Sequence, residues 1–83
     1  MFTNIKASLK DGTLKATFGL SSGTLPSKVL ADVTYGSSHT LVGLEVGQKS
    51  FSMAAPESED DYTLVLKGLV DGAWVSSEEV PFN

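Results

Sequence analysis

Apolar and polar residues alternate with a period of two along most of this chain. Ile5, Ala7 and Leu9 alternate with Lys6, Ser8 and Lys10; Leu14, Ala16, Phe18 and Leu20 alternate with Lys15, Thr17 and Gly19. Such alternation predicts strands with one buried face and one wet face. Between the two runs stands Asp11-Gly12, a pair that tolerates the positive φ angles of a type I′ turn, so the runs read as a tight hairpin. Ser21 to Pro26 interrupts the pattern with small polar residues, a glycine and a proline, and is long enough to carry the chain to another sheet.

Alternation resumes with Val29, Ala31, Val33 and Tyr35, and the turn at Gly36-Ser37-Ser38 leads into a strand over Thr40 to Val46. Gly43 within it marks a bulge or an edge. After Gly47-Gln48 comes a short strand around Phe51 and Met53. Ala54 to Asp61 is a second long connection, with Pro56 and the acids Glu57, Glu59, Asp60 and Asp61. Tyr62 to Val70 is apolar on both faces, as a central strand is, and Asp71-Gly72 supplies a second type I′ signal. Ala73 to Phe82 reads as the last strand; Glu78, Glu79 and Pro81 suit an exposed edge. No helix is predicted.

About seven strands with a turn signal roughly every 8–12 residues predict an all-β, antiparallel β-sandwich spanning residues 1–83. Hairpins keep strands 1–2, 3–4 and 6–7 together, and the longer links cross between sheets. A sheet of strands 1-2-5 facing one of strands 4-3-6-7 satisfies these constraints.

That arrangement resembles the fibronectin type III and immunoglobulin-like superfamily. The motif lies in Asp61-Tyr-Thr-Leu-Val-Leu-Lys-Gly-Leu-Val-Asp-Gly-Ala-Trp-Val-Ser-Ser-Glu-Glu-Val-Pro-Phe82, which is similar to the family's sixth strand, turn and seventh strand. The resemblance makes Tyr62 the corner tyrosine, its hydroxyl bonding back to the preceding loop. Phe18 stands where fibronectin-type modules carry a core tryptophan, while Trp74 sits on the last hairpin, a departure from the family pattern.

Composition then removes most chemistry. The chain has no cysteine, so it holds no disulfide, thiolate metal site or cysteine nucleophile. It has six lysines and no arginine, which removes bidentate side-chain recognition of phosphate or guanine. Ten acids set the net charge at −4, which disfavours nucleic acid as a partner. No apolar run approaches the roughly 20 residues of a membrane helix, and Met1 to Lys6 does not begin a signal peptide.

The remaining candidates are weak as chemistry. His39, the single histidine, reads as a solvated turn residue. The acids at 57, 59, 60 and 61 lack the glycine and spacing of a calcium loop. Serines at 21, 22, 37, 38, 76 and 77 have one possible base among them, and Glu78 and Glu79 point to opposite faces of a strand. Trp74 is the most informative aromatic: exposed on an edge hairpin it is an interface anchor, and tucked over the open end of the sandwich it is a lid. Alternation sends one of Trp74 and Val75 into the core. Trp74, Phe82 and Tyr35 are the candidate interface residues; Tyr62, Phe18, Gly12 and Gly72 are the candidate structural ones.

The expected function is non-enzymatic, with no cofactor and no metal. Sandwich modules without secretion signals occur on the capsids, tails and baseplates of tailed bacteriophages, so the resemblance implies a virion accessory protein. It would dock on a capsid or tail lattice, with self-association possible, and engage neither nucleic acid nor membrane. Its expected location is the cytoplasm of the producing cell and then the virion. A second reading is a carbohydrate- or ligand-binding module using Trp74, Tyr35 and loop acids. A third is a module that pairs strands with its partner by β-augmentation.

Overall fold

The structure, a computed structural model, describes residues 2–20, 25–55 and 61–82. Eight strands follow in chain order: β1 (Phe2–Lys10), β2 (Thr13–Leu20), β3 (Lys28–Tyr35), β4 (Ser38–Leu44), β5 (Ser50–Ala54), β6 (Tyr62–Val70), β7 (Ala73–Ser76) and β8 (Val80–Phe82). They form two antiparallel sheets, β1-β2-β5 and β4-β3-β6-β7, with β8 also on β6. The fold is the expected all-β sandwich, with the strand order that link lengths predict.

Both Asp-Gly turns have the anticipated geometry. Asp11 and Gly12 sit at φ +51° and +75°, and Asp71 and Gly72 at +50° and +80°. Positive φ at both central residues gives the turn the twist of the flanking strands. Gly72→Ala is therefore expected to cost about 1 kcal/mol in urea unfolding, because a Cβ is strained at that φ.

Inward residues of both sheets build the core. Leu14, Ala16, Phe18 and Phe51 come from the three-stranded sheet; Val29, Ala31, Val33, Tyr62, Leu64, Leu66 and Phe82 come from the larger one. Phe18 meets Phe2 edge-to-face at 5.8 Å, and Tyr62 stacks on Phe82 at 5.5 Å. Phe18 and Tyr62 are both buried in this core. The loop partner anticipated for the Tyr62 hydroxyl falls largely on residues 56–60, outside the described residues.

The last strand departs from expectation. It breaks between β7 and β8, and both halves pair with β6, in registers that differ by one residue: Leu69 faces Trp74, and Tyr62 faces Phe82. Ser77 holds the break. Its N–H donates to the Leu66 carbonyl at 2.7 Å, and its Oγ accepts the Leu66 N–H at 2.9 Å. One side-chain oxygen thus replaces a ladder carbonyl. Ser77→Ala is expected to cost about 1 kcal/mol in chemical denaturation, since the Leu66 N–H loses its acceptor.

That one-residue shift corrects the role of Phe82. In an unbroken strand Phe82 would share the outward face of Trp74, eight residues away and of the same parity. The shift turns it inward onto Tyr62, so it is a core residue and not an interface anchor.

Candidate functional site

Cross-strand register sorts the larger sheet into two faces. Val29, Ala31 and Val33 of β3 point to the core with Leu64, Leu66 and Gly68 of β6. The opposite face carries Leu30, Asp32 and Thr34 of β3, Thr63, Val65, Lys67 and Leu69 of β6, His39 and Leu41 of β4, and Trp74 and Ser76 of β7.

Trp74 lies directly across from Leu69, which in turn faces Lys28. Because Val70 and Ala73 close the two-residue turn, Leu69 and Trp74 form the next, closely approached cross-strand pair. Trp74 nevertheless stays 48% exposed. Leu30 and Val65 stand half-buried in the adjoining rows, and Leu41 on β4 is 54% exposed. An apolar band therefore crosses the sheet from Trp74 to Leu41. Leu25, before β3, and Val46, after β4, are exposed as well.

A charged group sits within the band. The Asp32 side chain is only 14% exposed, with its two oxygens 3.4 Å from Lys67 Nζ and 3.3 Å from His39 Nδ1. Apolar side chains thus surround a paired carboxylate, with Lys28, Thr34, Thr63 and His39 at the margin of the same face.

The remaining sequence candidates separate. Val75 has inward parity yet is also exposed, because β1 packs against β8 and leaves β7 uncovered. The expectation that one of Trp74 and Val75 enters the core is thus not met. Trp74 stands on the outer sheet face, where it does not close the end of the sandwich. Tyr35 is half-buried with inward parity; its ring lies 5.9 Å from Tyr62 and its hydroxyl is 3.0 Å from Thr40 Oγ1. It supports the core at the far end of β3 from Lys28, so Tyr35 and Trp74 do not form one platform.

His39 lies beside the turn, at the second residue of β4, exposed and next to Asp32. Glu78 and Glu79 occupy the break between β7 and β8 instead of a strand. Glu57, Glu59 and Asp60 lie outside the described residues, and Asp61 is exposed. Among the described residues no three His, Asp or Glu side chains gather as metal ligands, and no helix is long and apolar enough to cross a membrane.

Sequence reasoning found Trp74 but not its neighbours. The signal was the second apolar face of Tyr62 to Val70, where Val65 and Leu69 read as buried positions of a central strand. No protein-family model and no curated protein matches this chain.

Proposed function

We propose that this protein is a non-enzymatic interaction module that docks on a protein surface through the outer face of its larger sheet. The observation that carries the reading is the exposed Trp74, backed by Leu69 and continued by Leu30, Val65 and Leu41. Trp74 supplies the anchor, the aliphatic band supplies desolvated area, and the Asp32–Lys67 pair sets orientation.

The partner is a capsid or tail lattice of a tailed phage, a choice that rests on the resemblance to fibronectin-type modules. Repetition of the partner on a particle lets each contact be weak, because many copies bind at once. The test is sedimentation of particles from producing cells. Wild-type protein is expected in the pellet and Trp74→Ala in the supernatant. Wild-type protein that stays wholly free, or a variant that sediments equally, overturns the reading.

A further inference from the structure

The sandwich has four strand edges, and two of them are visibly blunted. β1 carries a register shift between Thr3 and Lys6, with Asn4 at φ +50° and lysines at 6 and 10. The β7–β8 edge carries its own break, two glutamates and Pro81. Bulges, charges and proline are the usual protections against added strands. β5 has none: Ser50-Phe-Ser-Met-Ala54 is uncharged, free of proline and in unbroken register with β2.

The hydrogen bonds fix which β5 groups are open. The Phe18 N–H donates to the Lys49 carbonyl at 3.0 Å, and the Ala55 N–H to the Gly12 carbonyl at 2.9 Å. Odd-numbered residues 49–55 therefore exchange bonds with β2, and Ser50, Ser52 and Ala54 turn their N–H and C=O groups outward. Gln48 demonstrates the appetite of this edge. Its Nε2 donates to the outward Ser50 carbonyl at 2.7 Å, and its Oε1 accepts the N–H of Glu45, just past β4, at 3.1 Å. One side-chain amide thus spans the two sheet edges where a further strand would begin.

Beyond Gln48 the space between β4, β5 and β2 opens into a groove of about 660 Å³, with Ala16, Val42, Leu44 and Phe51 as its apolar lining. The outer face of the three-stranded sheet sets the charge of any strand added there. Its rows run Lys6–Thr17–Ser50, Ser8–Lys15–Ser52 and Lys10–Thr13–Ala54, with three lysines and no acid. The rest of the chain carries −7, since the total is −4 and this face holds +3.

We infer that the β5 edge is a receptor for an extended segment of a partner protein in which apolar residues alternate with acidic ones. The segment adds a fourth strand to β1-β2-β5. Its main chain pairs with the Ser50 N–H and with Ser52 and Ala54, its apolar residues enter the groove, and its acids join the lysine face. This surface is separate from the Trp74 face, and the inference stands independently of the function proposed above.

The probe is an acetylated, amidated Val-Glu-Val-Glu-Val-Glu peptide titrated into the ¹⁵N-labelled protein. Amide shifts and slowed hydrogen exchange are expected at Ser50, Ser52 and Ala54, saturating below about 1 mM. A peptide N-methylated at alternate residues, which leaves the protein untouched, is expected to bind at least about tenfold more weakly. A Val-Lys-Val-Lys-Val-Lys peptide should also bind more weakly. Ser52→Pro removes an N–H that β2 does not use, so the amide spectrum should stay dispersed while binding falls. Absence of shifts at β5, equal binding of the N-methylated peptide, or pairing of β5 with β5 of a second copy overturns the inference.

Discussion

Leu64→Ala is expected to lower stability by about 2–5 kcal/mol, the range for deleting a buried leucine side chain beyond Cβ. Leu64 is fully buried in β6, a strand flanked by β3 on one side and by β7 and β8 on the other. It faces Val33 of β3 and Val80 of β8, and belongs to the cluster that joins Leu14, Phe18 and Phe51 across the sheets. A chain of 83 residues has a total stability of roughly 4–12 kcal/mol. The substitution thus removes a large part of it and should lower the melting temperature by more than about 10 °C. Leu41→Ala on the exposed β4 edge is the control and should change stability by less than about 0.5 kcal/mol. Parallel urea melts of both variants check the pair; similar losses would contradict the division into inner and outer faces.

Trp74→Ala is expected to separate binding from folding. Trp74 stands across the strand from Leu69 and remains half exposed, so removing its ring should cost the fold no more than about 1 kcal/mol. At a docking surface, loss of a tryptophan anchor costs about 2 kcal/mol or more, about thirtyfold in affinity. Leu69→Ala should repeat the binding loss more weakly, because it removes the cross-strand neighbour of Trp74. Thermal melts and sedimentation with the partner particle read the two effects separately. A variant that melts early and binds normally would make Trp74 a packing residue.

Much of the fold is legible in the chain, and what is missed has a specific physical cause. Alternation gives the faces of β2, β3 and β6, and Asp11-Gly12 and Asp71-Gly72 give two hairpins whose φ values leave little other choice. Link length separates the sheets only in part: the longer β2–β3 and β5–β6 links cross, but so does the short link between Leu44 and Ser50. The break at Ser77 is invisible to pattern, because a serine hydroxyl acting as a ladder acceptor depends on the register it helps to create. That single extra residue reverses the face of everything after it, so Phe82 reads as exposed and is buried. Tyr35 fails as a site residue for a related reason: strand parity sends it inward, toward Tyr62.

The candidate site is legible in part. Trp74 after a tight turn on an edge strand announces itself. Leu69, Val65 and Leu30 do not, because an apolar residue on the second face of a central strand reads as covered by a layer that is not present among the described residues. Asp32 is similarly opaque. Its burial among Lys67 and His39 follows from the pairing of β3 with both β4 and β6, which no local stretch of sequence contains. The open groups of β5 depend on which residues bond to β2, a fact that two hydrogen bonds at the strand ends reveal and composition does not.

The most direct test of docking through the larger sheet is a comparison of two crosslinking positions in producing cells. A photo-reactive amino acid is placed at Ser76, on the face of Trp74, or at Ser37, in the exposed turn between β3 and β4. Illumination should yield a discrete protein adduct from position 76 that disappears with Trp74→Ala, and none from position 37. An adduct from position 37 alone, or one from position 76 that persists without Trp74, would contradict the assignment of this face as the docking surface.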